Sequence, residues 1–261
     1  MRLWGLLLAG LACLAATAPA ALPRPPTIVA HRGLAEGVPE NTLAAFRQSI
    51  ARGISIIELD VRVTKDGHLV ILHDATLNRT TDCSGSLAEL ALAKVRTCDA
   101  GWPTHPGERV PTLAEALALV KATPARLLLD IKSGTPLEQV LAEVRGQNAS
   151  MNVILGLHSV KQVERARADL PSATILAFMP ERTDAGAFAK AGAQIIRLWS
   201  DWVEADPALV ARTRALGPQV WILIGRSLPS SNDSWRALHA RMIATGAQGL
   251  ITNRPELISA P

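Results

Sequence analysis

Four short stretches carry side chains able to do acid, base or metal chemistry: His31-Arg32-Gly33, Glu58-Leu59-Asp60, His73-Asp74 and Asp130-Ile131-Lys132. In an extended strand successive side chains point to opposite faces, so Glu58 and Asp60 share a face with Leu59 on the other, and Asp130 and Lys132 do the same around Ile131. Carboxylates from two strands that converge repel one another unless a cation sits among them. A hard divalent metal answers that problem. All-oxygen ligation by Glu58, Asp60 and Asp130 suits Mg²⁺ or Ca²⁺ better than Zn²⁺, which favours nitrogen and sulfur. His31 and His73 carry the side chain whose ordinary pKa lies closest to neutral, which makes them candidates for a general acid and base pair. Arg32 and Lys132 bring positive charge for a phosphoryl group, Arg32 with a bidentate fork. Together the parts fit metal-assisted hydrolysis of a phosphodiester.

Each of these residues alone also has a structural reading, as a salt-bridge partner or a satisfied histidine. Their coincidence at strand ends is what favours chemistry. His68, His105 and His239 have no second titratable group beside them and are read as structural. His158 closes a strand and could reach the same rim to contact substrate.

Positioning such a set takes a fold that gathers strand ends. From Thr27 onward β-rich runs alternate with segments of helical length. The strand candidates are Thr27 to Ala30, Ile54 to Asp60, Arg126 to Lys132, Asn152 to His158, Thr174 to Met179, Gln194 to Trp199, Gln219 to Gly225 and Gly249 to Asn253. Helices are expected to begin near Asn41, Thr112, Pro136, Ser159, Thr183, Pro207 and Ser231, with a capping box at Thr112-Leu113-Ala114-Glu115. Eight strands alternating with helices predict an α/β fold, a (β/α)8 TIM barrel whose active site lies at the C-terminal strand ends. The runner-up is a doubly wound open sheet, against which stands the absence of a G-x-G-x-x-G after the first strand. Residues 61–110 are too long for a simple loop and read as an insertion after the second strand, with a hairpin signal at Asp66-Gly67.

Composition narrows the class. The chain has 261 residues, 48% of them apolar and 19% charged, which excludes disorder. A net charge of +4 with 3 Phe, 6 Trp and no Tyr gives little reason to expect a nucleic-acid partner. Residues 1–20 have the plan of a signal peptide: Arg2, the apolar run Leu3 to Ala16, then Ala18-Pro19-Ala20 as a cleavage site. Residues 21–261 would then form the mature barrel, exported to the periplasm or secreted, without stable membrane insertion. Cys13 suggests a lipoprotein, but the residues before it fit such a signal poorly. An oxidising compartment predicts a disulfide between Cys83 and Cys98, worth about 3 kcal/mol on chain-entropy grounds.

The sequence resembles the glycerophosphodiester phosphodiesterase family. The matching motifs are Ala30-His31-Arg32-Gly33, residues 39–46 (Pro39-Glu40-Asn41-Thr42 and onward to Phe46), Glu58-Leu59-Asp60-Val61 and Thr64-Lys65-Asp66-Gly67. They continue with His73-Asp74, Leu77-Asn78-Arg79-Thr80-Thr81, Asp99-Ala100-Gly101-Trp102, Val110-Pro111-Thr112-Leu113 and residues 249–255. The resemblance implies a (β/α)8 barrel with an insertion after the second strand, a Mg²⁺ or Ca²⁺ cofactor, and cleavage of glycerophosphodiesters to glycerol 3-phosphate and an alcohol. By motif position it implies Glu58 and Asp60 as metal ligands, His31 and His73 as acid and base, and Arg32 and Lys132 at the phosphate. The third ligand in the family is normally a Glu two residues before that Lys, where this chain has Asp130. Asn253 stands where the family usually has Asp, and Trp221-Ile222-Leu223-Ile224 replaces a Trp-Thr-Val-Asn run. Trp221 is therefore expected at the substrate, with the residues after it forming an apolar wall that tolerates many alcohol groups. Two other activities fit the same residues: a phospholipase C or D relative acting on lipid head groups, and a phosphate-ester binding module without turnover.

Overall fold

Period-2 alternation decides what each strand buries. Val29, Ile56, Leu128, Ile154, Leu176, Ile195, Trp221 and Ile251 form one cluster, while the residues next to them, including Ile57, Leu127, Leu129, Leu155, Ile196 and Ile222, belong to a second and larger one. Strands buried on both faces need cover on each, and a closed sheet with helices outside it supplies that. The computed structural model, which describes residues 25–33, 37–225 and 227–258, has that form.

In chain order the elements are β1 (Thr27–Ala30), α1 (Leu43–Ala51), β2 (Ile56–Val63), β3 (Leu69–Ile71), α2 (Leu92–Val95), α3 (Leu113–Val120) and β4 (Arg126–Ile131). Next come α4 (Leu137–Gly146), β5 (Val153–Leu157), α5 (Val160–Asp169), β6 (Thr174–Ala177), α6 (Ala185–Lys190) and β7 (Ile195–Trp199). The chain continues with α7 (Ser200–Ala205), α8 (Leu209–Arg214), β8 (Gln219–Leu223), α9 (Asn232–Ala244) and β9 (Gly249–Thr252). The parallel pairing of β1 with both β2 and β9 closes eight strands into a (β/α)8 barrel and excludes the open sheet. The helices begin where the capping signals stand: Thr112 Oγ1 accepts from Glu115 N, and the Glu115 carboxylate accepts from Thr112 N in return. α7 is an addition to the expected set, a short turn directly after β7 that precedes the helix expected near Pro207.

The inner cluster holds large rings at a cost in neighbouring volume. A methyl group on Gly249 would lie 2.5 Å from the Trp221 ring, and one on Gly156 would lie 2.4 Å from Phe178. Both glycines are therefore set by a close approach.

The second strand runs past Asp60 to Val63, because Val61, Arg62 and Val63 pair antiparallel with Ile71, Val70 and Leu69 of β3. Asp66-Gly67 makes the turn between them, with Gly67 at φ 83. The insertion then packs a small core of its own from Val70, Leu72, Leu77, Leu87, Val95, Cys98, Ala100 and Val110. Cys83 and Cys98 are joined there, their Cα atoms 5.6 Å apart, inside the range a disulfide accepts. The leader reading of residues 1–20, Cys13 included, lies outside the described residues. No helix among the described residues is long and apolar enough to cross a membrane.

His239 has the structural place expected of it. It is 2% exposed on α9, and its Nε2 meets Thr252 Oγ1 of β9 at 2.9 Å. Burial, more than any neighbouring charge, lowers its pKa to about 4. As pH falls below 6.5 the unfolded chain takes up a proton at this residue that the folded chain does not, so stability declines down to about pH 4 and then levels off. We expect His239→Gln, which can keep a partner for Thr252, to reduce the stability lost between pH 7 and 4.5 by roughly 2 to 3 kcal/mol in urea unfolding. Identical pH slopes in the two proteins would refute the assignment.

Candidate active site

The inward face of each strand changes character at its C-terminal end. In β2 the inward series runs Ile56, Glu58, Asp60, and in β4 it runs Leu128, Asp130. Register places Asp60 directly beside Asp130, and Asp130 beside Gly156. One oxygen from each of Glu58, Asp60 and Asp130 lies within 4.8 Å of the others, and all three residues are buried. The sequence reading of these three as one cluster corresponds to this meeting point.

Buried like charges have predictable effects. Burial first, then the charges of Asp60 and Asp130, push the Glu58 carboxyl well above the usual carboxylate range. Burial pushes Asp130 the same way, but hydrogen bonds from His158 and Lys132 outweigh it and hold Asp130 below its ordinary value. Lys132 Nζ lies 2.6 Å from Asp60 Oδ1 and 2.6 Å from Asp130 Oδ2. Burial opposes its charge, yet the surrounding carboxylates raise its pKa to about 12. Lys132 is thus the shared counter-ion of Asp60 and Asp130. Three buried hard oxygen donors within reach of one another fit a divalent cation.

The turn after β1 frames the cluster. Arg32 N donates to Glu58 Oε2 at 2.8 Å, and the Arg32 side chain reaches Glu40 at 3.0 Å and Asp60 at 3.5 Å. Asn41 Nδ2 donates to Asp60 Oδ2 at 2.7 Å. Arg32 and Asn41 both have left-handed backbones, φ 57 and φ 58, and Asn41 N donates to Arg32 O at 2.9 Å. Strained residues of this kind persist only where surrounding bonds hold them. Gly33 follows at φ 68, where a methyl group would sit 2.5 Å from the Phe46 ring of α1, which links the His-Arg-Gly and Pro-Glu-Asn-Thr motifs physically.

His31 is 9% exposed, and its Nδ1 lies 2.5 Å from Asn253 Oδ1. An amide oxygen only accepts, so Nδ1 carries the hydrogen and Nε2, 3.8 Å from Glu58 Oε2, presents a lone pair. Burial and then the Arg32 charge lower the His31 pKa to about 4, so the ring is neutral at pH 7. His73 is in a different setting. It lies just beyond β3, half-exposed, with Nδ1 donating to Asp74 Oδ1 at 2.6 Å. Arg79 bridges Asp74 and Glu40, with its closest contact to each at 2.7 Å. Those bonds hold Asp74 well below the usual carboxylate range. His73 is thereby tied, through Asp74, Arg79, Glu40 and Arg32, to the carboxylate cluster.

Trp221 is not brought to this place. It is 3% exposed in the inner cluster, two positions below the strand end, packed on Gly249 with Nε1 donating to Gln219 Oε1 at 3.2 Å. Ile222 and Ile224 face the helices in the outer cluster, so of the apolar wall expected of residues 222–224 only Leu223 faces the barrel interior. Register sets this depth: Trp221 pairs with Gly249, the first residue of β9, away from the C-terminal strand ends. The aromatic residue at an inward strand end is Trp199, whose ring packs beside Gly225 and lies 4.2 Å from the Arg197 guanidinium. Glu40, Asn41, Asp74 and Arg79 lay inside recognised motifs without an assigned role. Their charge or amide chemistry at those positions was the available signal.

Residues 31–257 match the glycerophosphoryl diester phosphodiesterase family. The chain belongs to that family. It is 30% identical over 244 residues to YhdW of Bacillus subtilis, covering 88% of this chain and 96% of that protein. A glycerophosphodiester phosphodiesterase of Caldanaerobacter subterraneus is 39% identical over 136 residues, and the match spans 49% of this chain and 56% of that enzyme. A crystal structure of glycerophosphodiester phosphodiesterase from Agrobacterium tumefaciens superposes with a TM-score of 0.74 at 25% identity, covering 89% of this chain and 98% of that one.

The His31 to Asn253 contact generates a direct test. We expect the His31 ring to titrate near pH 4 by nuclear magnetic resonance, and Asn253→Asp to raise that value by about 1 to 3 units, because an adjacent carboxylate favours imidazolium. An unchanged titration would show that Nδ1 does not face residue 253.

Proposed function

We propose that this protein hydrolyses glycerophosphodiesters to glycerol 3-phosphate and an alcohol at the barrel mouth, with Mg²⁺ or Ca²⁺ held by Glu58, Asp60 and Asp130. The observation that carries this reading is the meeting of three buried carboxylates and a neutral His31 at one end of the barrel, in a chain of this family. When bound, the cation polarises a phosphoryl oxygen and offsets the charge that grows on it.

The chain's own residues supply the rest. His31 presents an unprotonated Nε2, so it is the base that takes a proton from the attacking water. His73, oriented by Asp74 at its Nδ1, gives a proton from Nε2 to the leaving alkoxide. The half-exposed His73 then regains a proton from solvent, and His31 gives up the one it took. Lys132 and Arg32 place positive charge beside the phosphate, and their existing carboxylate partners fix both heads before substrate arrives. We also propose export, on the leader pattern of residues 1–20. A mature N-terminus at Ala21 in protein recovered outside the cytoplasm tests it.

The activity is tested on glycerophosphocholine by coupled detection of glycerol 3-phosphate. Chelation should abolish turnover, and added Mg²⁺ or Ca²⁺ should restore it, while Glu58→Gln loses activity with the fold retained. His31→Ala and His73→Ala should each lower kcat by about 10²-fold or more. Full turnover in EDTA would refute the metal assignment. Activity confined to intact lipid in detergent would make the protein a phospholipase instead, and binding without turnover would make it a binding module.

A further inference from the structure

Asp130 lacks a side chain beside it at its own level on the next strand. Its neighbour in register on β5 is Gly156, which offers no side chain to lean on. An aspartate has one methylene fewer than a glutamate with which to reach a shared cation. Repulsion from Glu58 and Asp60 would turn its carboxylate away from the place where the three converge.

The next inward position along β5 supplies what Gly156 lacks. His158 Nε2 lies 2.6 Å from Asp130 Oδ1, and because a carboxylate accepts only, the ring nitrogen donates. Lys132 takes the other oxygen, Oδ2, at 2.6 Å. Two donors on two oxygens define the plane of the carboxylate. His158 is itself held from three sides. Its ring stacks on Phe178 with centroids 5.2 Å apart and planes 17° from parallel. Phe178 can lie there because Gly156 has no Cβ, and the Arg197 guanidinium covers it at 5.3 Å from the ring centroid. The His158 backbone N–H donates to Gln162 Oε1 at 3.0 Å, part of the capping box that starts α5.

We propose that His158 is a positioning residue for the metal site: it orients the Asp130 carboxylate toward Glu58 and Asp60, and cation affinity depends on that hydrogen bond. The proposal rests on the metal reading given above. Hydrogen-bond partners of ligating carboxylates typically matter by about 10- to 100-fold in metal affinity. His158 acts through Asp130; its Nε2 is spent on the carboxylate.

The test is Mg²⁺ titration by calorimetry of the metal-free full chain, with thermal unfolding of the same samples. His158→Phe keeps an aromatic ring against Phe178 and removes the donor, and His158→Gln keeps an N–H donor without the ring. We expect His158→Phe to weaken the Mg²⁺ Kd by about 10- to 100-fold, with the metal-free Tm near wild type, and His158→Gln to recover the Kd to within about threefold of wild type. An unchanged Kd in His158→Phe overturns the proposal and leaves the phosphodiesterase reading intact. Equal weakening in both variants overturns it too, because the donor would then not be what matters. If the wild-type chain binds neither Mg²⁺ nor Ca²⁺, the metal reading itself fails and takes this proposal with it.

Discussion

Mutual repulsion among Glu58, Asp60 and Asp130 is the constraint from which the rest of the site follows. At an effective dielectric near 20, charges up to 4.8 Å apart repel by roughly 3 kcal/mol per pair or more. Burial raises that cost, because each carboxylate also loses water. Without compensation one of the three must stay protonated, and Glu58, whose pKa is pushed well up, is the one. Lys132 and Arg32 supply part of the compensation, and a divalent cation would supply the remainder. A divalent cation would let all three carboxylates ionise together.

That arrangement needs a barrel. Glu58, Asp60 and Asp130 come from two adjacent parallel strands in direct register, and the same alternation that points them inward points Ile57, Leu59, Leu129 and Ile131 at the helices. The apolar outer face anchors the strands, so the carboxylates cannot relax apart by shifting the backbone. Loops then bring the titratable partners: the strained turn at Arg32 sets its N–H on Glu58, and the excursion after β2 carries His73 and Asp74 back to Glu40 through Arg79. An Arg with two carboxylate partners is a rigid tether compared with a single surface pair.

The sequence exposed the barrel because period-2 runs and helical segments alternate eight times, and it exposed the carboxylates because acidic residues at i and i+2 of an apolar strand put two like charges on one face. It placed Asp60 at the end of its strand, whereas β2 continues to Val63; the extension depends on pairing with β3, a tertiary fact. Trp221 illustrates a deeper limit. Motif position put it at the substrate, but depth in a barrel depends on register with the neighbouring strands, and Trp221 pairs with Gly249, the first residue of β9. The contact of His158 with Asp130 was equally out of reach, because it joins neighbouring strands across a glycine, at residues far apart in the chain.

The two departures from the family pattern at the mouth, Asp130 and Asn253, have related physical effects. Each lies against a histidine, at 2.6 Å from His158 and 2.5 Å from His31. An Asp at residue 253 would add a carboxylate near a cluster that already repels itself and would favour a charged His31. The amide accepts the same Nδ1 hydrogen without charge, which fixes the tautomer while leaving the ring neutral. The His158 ring meets the Asp130 carboxylate directly, and the donor it supplies lowers the cost of ionising that carboxylate. Both changes therefore act in one direction: His31 stays available as a base, and the negative charge that remains is concentrated on the oxygens that can meet a cation.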